Sequence, residues 1–518
     1  MKRLFPFAAL AVSAPLHAQM AASNRTPVDR AAATITAESI AQRVGIIAHD
    51  SMEGRDTPSR GLDLTAQWVA DEFKRAGLKP GGENGTWFQR YPINRIQVDP
   101  ANSSLTFRGP GGSWTGSFTK DVVRMQGSPP EKPVTGGVLV LAGSAAAAEV
   151  KDAKGKILVV PVDFRQQGTP PVFAAVNAAA DQGAAALVVL AGRDGPSFDA
   201  MVRRGARKDV SRPGVGGRGG LGSIPVFEIR GVAADEFLKA AGVDPAALRA
   251  GAEGVVKPLP GVTAELVVAT GANENLSAPN TIGILEGTDP TLKAEYVIFT
   301  AHMDHVGTTD GGRCRAQGAD STCNGADDDA SGTVTVVELA RAFARKGARP
   351  RRSMVFMTVS GEERGLWGSH HFSEHPTLPL SDIVANINID MVGRNWTDTI
   401  VAIGKEHSDL GATLNRVNAQ HPELGMTAID DIWPEENFYR RSDHYNFARK
   451  GVPVLFFFNG VHADYHQASD SPEKIDSEKM ARLARLLFYL GRDIGDAAQR
   501  PQWDPDSYKA VVEPSGTS

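Results

Sequence analysis

Zinc-binding side chains recur through the second half of the chain in a fixed order: His302, Asp328, Glu363, Asp390 and His466, with a further carboxylate, Glu362, beside the third. Zinc takes imidazole and carboxylate ligands and closes a tetrahedral site with about four of them, so a lone ion would not use all five. Two adjacent ions sharing Asp328 would. Glu362 and Glu363 point in different directions on an extended backbone, so one can hold metal while its neighbour faces a bound water. Such a carboxylate takes a proton from water that metals acidify toward a pKa of about 7, and later gives it to a leaving amine. The pattern reads as a two-metal hydrolytic site.

These groups need a rigid floor. The runs Tyr296 to Thr300, Ser353 to Val359, Ile383 to Ile389 and Pro453 to Phe458 are short and nearly all apolar, as strands buried on both faces are. Alternating with helices from about residue 275, they predict an α/β fold with a doubly wound sheet. Ligands of open α/β sheets gather beyond the carboxyl ends of strands, and His302, Glu363 and Asp390 each follow such an end. After Asp328 the spacing predicts a helix over 331–346, with Val334, Val337, Leu339, Ala340 and Phe343 as its apolar positions and Gly347 as its stop.

Upstream, Thr36 is placed to cap a helix reaching about His49, and a second helix runs from Leu62 to Gly77 with Trp68, Val69 and Phe73 toward the core. Ser-Met-Glu-Gly-Arg-Asp at 51–56 reads as a polar loop, and 87–118 as short antiparallel strands. Pro129, Pro130 and Pro133 mark a boundary. Strands at 137–142, 156–162, 184–190 and 224–229 and an Ala-rich helix at 172–182 then make a smaller α/β insert. Arg203, Arg204, Arg207, Lys208, Arg212 and Arg218 lie among glycines with no Gly-Lys-Ser/Thr, which reads as a solvated, mobile loop rather than a phosphate cradle.

The 518 residues are 42% hydrophobic and carry a net charge of −5, which gives no electrostatic footprint for nucleic acid. Lys2 and Arg3, the apolar run to Leu16 and Ala18 read as a signal peptide over 1–18, followed by a flexible lead-in over 19–35. No later segment reaches the ~18 apolar residues of a membrane span, so a secreted or periplasmic enzyme is expected. Cys314 and Cys323 are expected to pair there, stabilising the fold by about 2–3 kcal/mol. His305, His370, His371, His407, His421 and His462 lack ligand-like spacing and are assigned to surface or loop roles.

His302-Met-Asp304, Gly-Ala-Asp-Asp328-Asp-Ala-Ser-Gly, Ser-Gly-Glu362-Glu363-Arg-Gly, Asn-Ile-Asp390-Met-Val-Gly and Tyr465-His466 followed by Asp470 occur in order, and through them the chain resembles the M28 zinc aminopeptidases. The resemblance covers 36–130 and 275–498. It implies a zinc-exopeptidase, phosphorylase/hydrolase-like mixed sheet split by an insert, 131–270, that resembles a protease-associated (PA) domain. The peptidase domain then occupies 36–130 and 271–498, and 499–518 is a C-terminal tail.

The same resemblance implies two Zn2+, one on His302 and Asp390 and one on Glu363 and His466, bridged by Asp328. Asp304 would orient His302, Asp470 would serve His466, and a cis peptide is expected between Asp328 and Asp329. Glu362 would be the general base for a metal-bridged hydroxide, Tyr465 would donate to the oxyanion, and Ser442-Asp443-His444 would shape the site. The expected substrates are peptides with a free N-terminus. A carboxypeptidase or glutaminyl cyclase of the same fold, or a non-catalytic binding protein, are the alternatives.

Overall fold

The computed structural model describes residues 26–512 apart from 128, 131, 143–151, 161–178, 180–181, 206–207, 214–223, 245–254, 272–273 and 312. The signal-peptide segment and the Ala-rich helix, except for Ala179 and Gln182, lie outside the described residues. The chain folds as two compact units: the described residues up to Tyr91 together with those from Ala278 onward, and Pro92–Ser277.

In the first unit the apolar runs form a mixed sheet. Its strands are β1 (Glu274–Leu285), β2 (Tyr296–His302), β3 (Ser353–Val359), β4 (Ile383–Ile389), β5 (Thr399–Ile403), β6 (Thr427–Ile429) and β7 (Val454–Phe458). They lie side by side in the order β6-β5-β7-β4-β2-β3-β1. The central four are parallel, with β2 matched to β3 from Tyr296↔Ser353 through His302↔Val359. Antiparallel β1 and β5 flank them. Parallel register brings the carboxyl ends of β2, β3 and β4 level, so that His302, Glu362, Glu363 and Asp390 emerge at one edge of the sheet.

Strand alternation sends side chains to two cores. Val297, Phe299, Met354, Phe356 and Leu455 face one, and Ile298, Val355, Met357, Val454 and Phe456 face the other. The first core is covered by α1 (Ala37–Ile47), α2 (Arg60–Ala76), α3 (Gly332–Phe343) and α4 (Ser477–Asp496). Thr36 caps α1 through its hydroxyl, which accepts from the Ser39 amide. Gly77, at φ 85°, closes α2 in a left-handed conformation that costs glycine little. At the centre Phe299 stacks on Phe356 with ring centroids 5.7 Å apart.

The second unit is an eight-stranded sheet whose middle strands, Val134–Ala142, Ile157–Val160, Ala186–Val189 and Val226–Ile229, run parallel. The expected boundaries at 130/131 and 270/271 fall inside it. Strands Ser104–Gly109 and Val122–Gln126 belong to it because they pair with Val255–Val267 and Val226–Ile229. Pro129, Pro130 and Pro133 therefore lie between two strands of one sheet, Val122–Gln126 and Val134–Ala142. Part of the arginine-rich stretch is also ordered, since helix Gly195–Gly205 includes Arg203 and strand Lys208–Ser211 includes Lys208.

Two tails are structured as well. Helix Pro27–Ala32 and Ile35 bury Ala31, Ala32 and Ile35 in the first core, where a flexible lead-in was expected. At the other end Pro505–Val511 is helical, and the Trp503 indole donates to the Gly451 carbonyl at 2.9 Å. Cys314 and Cys323 form a disulfide with Cα atoms 5.6 Å apart.

The Ser51–Asp56 segment departs furthest from its expected role. Arg55 is fully buried. Its guanidinium donates to the carbonyls of Met303 (2.9 Å), Ile47 (2.8 Å), Asn324 (2.6 Å) and Gly325 (2.8 Å). It thereby joins the loop after β2 to the segment entering Asp328. Arg55→Ala leaves those carbonyls desolvated and unpaired, and we expect a loss of about 3 kcal/mol or more in urea unfolding. Arg55→Lys should recover only a small part, because one ammonium cannot reach four divergent carbonyls. Near-complete recovery by lysine would show that charge, not the fork geometry, matters.

Candidate metal centre

Polar side chains at the sheet's carboxyl edge can be buried only if each has a partner. The run Asp327-Asp328-Asp329 shows how three adjacent carboxylates manage this. Asp327 turns away and accepts from the Gly393 amide (2.6 Å), while its other oxygen faces His462 Nε2 at 3.2 Å. Asp329 accepts from the backbone amides of His302 (3.2 Å), Gly332 (2.8 Å) and Met391 (3.2 Å), fastening the ends of β2 and β4 to the start of α3. Gly332 must be glycine here, because a Cβ would stand 2.3 Å from the Ile389 carbonyl and 2.5 Å from the Asp329 carboxylate. Asp328 between them points into the cluster, and the peptide joining it to Asp329 is cis, as expected.

Around Asp328 the five expected side chains converge. His302 Nε2 lies 3.2 Å from Asp328 Oδ1 and 3.5 Å from Asp390 Oδ1. His466 Nε2 lies 3.2 Å from Asp328 Oδ2 and 3.0 Å from Glu363 Oε1. A sixth group joins them, which the sequence reading had placed in a loop role. His305 is fully buried, with Nδ1 3.1 Å from Glu363 Oε1 and 3.6 Å from Asp328 Oδ2. The signal was present as a second histidine three residues after His302, but burial of a post-strand loop is a tertiary fact.

These atoms are close without being hydrogen-bonded. His305 Nδ1, His466 Nε2, Asp328 Oδ2 and Glu363 Oε1 are all buried and have no hydrogen-bond partner. Nitrogen and oxygen atoms that approach this closely yet miss hydrogen-bond geometry surround a common centre, which is what a cation requires. Two groups of donors are close enough to share an ion, His302–Asp328–Asp390 and His305–Asp328–Glu363. The residues therefore fit zinc.

The protonation balance agrees. Burial penalises every charge here, but Asp390, Asp304 and Asp328 hold the His302 imidazole well above its ordinary pKa. Burial likewise opposes charge on His466, yet Asp328 and Glu363 raise it to about 10. Asp328 and Glu363 are pushed up by burial and, more strongly, pulled below the carboxylate range by the imidazoles. Without a cation the carboxylates keep protons on His302 and His466, and a bound metal displaces them.

The surrounding contacts confirm some expectations and revise others. His302 Nδ1 faces the Asp304 backbone carbonyl at 3.1 Å, nearer than the Asp304 carboxylate at 3.7 Å. That carboxylate instead accepts from the Thr57 hydroxyl (3.0 Å) and the Glu362 amide (3.2 Å), placing the Glu362–Glu363 turn. Asp470 does not serve His466: its oxygens accept from the Asp327 and Asp328 amides at 3.1 Å. A buried carboxylate facing two backbone N–H groups gains charge-assisted hydrogen bonds from both.

Ser442 donates to Asp390 Oδ2 at 2.8 Å, and Asp443 accepts from Ser369 at 2.5 Å, so Ser442-Asp443-His444 shapes the site as expected. Arg313, missed in the sequence, donates to the Glu363 carbonyl (2.6 Å) and carboxylate (3.2 Å). Glu362 is buried beside the donors. Tyr465 stacks on His466 with centroids 3.8 Å apart. Burial and the nearby Asp328, Glu363, Glu362 and Asp390 push its hydroxyl far above the usual phenol range, which keeps it a neutral donor.

The described residues contain no helix long and apolar enough to cross a membrane. Residues 280–491 match the model of peptidase family M28. A probable zinc metalloprotease of Leptosphaeria maculans is 28% identical over 35% of this chain and 51% of its own length. A probable leucine aminopeptidase of Trichophyton verrucosum is 25% identical over 40% of this chain and 56% of its own. The chain thus spans about half the length of these curated relatives. An aminopeptidase from Aneurinibacillus sp. shares the fold over 90% of this chain and 96% of its own, with a TM-score of 0.53 at 19% identity. The stretch that matches the family M28 model, residues 280–491, supplies every donor that converges on Asp328.

Proposed function

We propose that the chain is an exported zinc aminopeptidase that holds two zinc ions and releases N-terminal residues from peptides, with the Pro92–Ser277 unit as a PA-like insert. The observation that carries this reading is the pair of donor groups that share Asp328 while their remaining ligands differ. Zinc bound there supplies Lewis acidity, polarising a scissile carbonyl and acidifying a water.

The chain's own residues supply the rest. Glu362, held by the bond from its amide to Asp304, takes the proton of the attacking water and returns it to the departing amine. The Tyr465 hydroxyl donates to the oxyanion that develops on the substrate carbonyl. Arg313 is engaged by Glu363, and Arg364 by both oxygens of Asp56 at 2.8 Å.

A panel of aminoacyl fluorogenic substrates and their N-acetylated forms tests the activity. We expect turnover only with the free amine, loss of turnover on chelation and recovery with added zinc. Release of residues from the C-terminus of N-blocked peptides would favour a carboxypeptidase. Glu362→Ala should lower kcat by about 10²- to 10⁴-fold with zinc content unchanged, and near-normal turnover would remove it as the base. For Tyr465→Phe we expect a fall in kcat of about 10²-fold or more with KM little altered; unchanged turnover at full zinc loading would reduce Tyr465 to a packing residue.

A further inference from the structure

The segment that follows Asp390 and the turn that carries Tyr465 and His466 are distant in sequence, and the structure laces them together. Asn459 donates from its amide to the Met391 carbonyl at 3.2 Å and from its side chain to the Arg394 carbonyl at 3.3 Å. Asn395 in turn donates to the Asn459 carbonyl at 2.5 Å. The buried Lys479 donates to the Arg394 carbonyl at 2.9 Å, and the Asp476 amide donates to the Gly393 carbonyl at the same distance. The Arg394 side chain thus starts from a backbone that is fixed on several sides.

That side chain reaches Asp464. Its guanidinium donates to Asp464 Oδ2 at 3.0 Å, while Lys474 donates to Oδ1 at 2.8 Å. Each oxygen of one carboxylate is therefore held by a cation from a different segment. Asp464 and Arg394 are shielded, with side chains 17% and 20% exposed. Around Asp464 the chain is a turn without repeating structure, and Val461 within it is half exposed. His462 facing Asp327, and Asp470 on the amides of Asp327 and Asp328, anchor the two ends of this stretch. Between those anchors Asp464 supplies the ion pairs.

Tyr465 is the next residue. It stacks on His466 at 3.8 Å and lies in the field of Asp328, Glu363, Glu362 and Asp390. A backbone shift at Asp464 is carried straight to that ring, and a misplacement of about 1 Å near reacting atoms costs about 10²-fold in rate. Partly exposed ion pairs add little to global stability, so the effect of this clamp falls on geometry.

We propose that Asp464 is a positioning residue: gripped by Arg394 and Lys474, it sets the Tyr465 hydroxyl against the developing oxyanion. The proposal rests on the oxyanion role given to Tyr465 above. Through Arg394 it also ties that donor to the segment bearing Asp390.

The test is a set of single and double variants of the full chain, with kcat and KM for an aminoacyl fluorogenic substrate and zinc content measured on each. Asp464→Ala should lower kcat about 10- to 100-fold with KM and zinc content little changed. Asp464→Asn, which keeps one acceptor oxygen and nearly the same shape, should fall between Asp464→Ala and the wild type, and Arg394→Gln should match it. In a Tyr465→Phe background Asp464→Ala should cost less than about 2-fold more, because the group it positions is gone. Should Asp464→Ala not fold, Asp464→Asn is carried through the same comparison.

Wild-type kcat in both Asp464 variants would overturn the proposal. So would a loss that tracks missing zinc, or one of equal size with and without the Tyr465 hydroxyl. Unchanged kcat in Tyr465→Phe alone would remove the oxyanion reading beneath the proposal, which that single variant reports separately.

Discussion

Concentrating carboxylates where there is little water to solvate them is the constraint around which the peptidase unit is organised. Asp304, Asp327, Asp328, Asp329, Glu362, Asp390 and Asp470 are all buried near one edge of the sheet, and the Glu363 side chain is only 5% exposed. Unpaired, each would cost several kcal/mol of lost solvation. The fold resolves this by giving Asp304, Asp327, Asp329 and Asp470 backbone amides. Asp329 takes three, Asp470 holds Asp327 and Asp328, and Asp304 takes Glu362. Each such bond both solvates a charge and fixes a loop, so the electrostatic problem and the positioning problem have one solution. The carboxylate oxygens left over are those turned toward the histidines.

Arg55 provides the complementary element. Although burial disfavours its charge, the nearby Asp328, Asp329, Asp470 and Asp304 offset much of that penalty. Its donors go to four backbone carbonyls rather than to those carboxylates. A cation that binds carbonyls while feeling the field of the carboxylates leaves the acidic oxygens available to a metal. An arginine bonded directly to Asp328 would compete with zinc for the same lone pairs.

The sheet contributes rigidity and register. The parallel pairing of β2 with β3 and β4 sets His302, Glu363 and Asp390 at one level, above the aromatic stack of Phe299 on Phe356. The remaining parts of the site are loops. His466, with φ 57°, and Tyr465 reach in from a turn after β7. The disulfide at Cys314–Cys323 restrains the segment leading to Asp328, as its place in the sequence suggested.

Much of this architecture was legible from one-dimensional pattern. Strands buried on both faces leave uninterrupted apolar runs, so β2, β3, β4 and β7 could be located nearly to the residue. Thr36 and Gly77 marked helix ends through local chemistry alone. The five metal-capable side chains were visible because strand ends recur in a doubly wound fold and ligands cluster there. What could not be read was burial of residues in non-repeating segments: Arg55 in a stretch that is polar by composition, His305 in a post-strand loop, and Ile35 in an apparent lead-in. Loop burial follows from long-range packing, which leaves no period in the sequence.

The unit boundary at Tyr91 was missed for a related reason, since prolines mark turns within a sheet as readily as breaks between domains. The sequence by itself determined which side chains could meet a metal and in what order the strands deliver them. Tertiary structure alone decided that Asp470 serves the backbone rather than His466, that Arg55 ties the loops together, and that His305 faces Glu363. Those outcomes depend on distances between residues far apart in the chain, and composition and spacing carry no record of such distances.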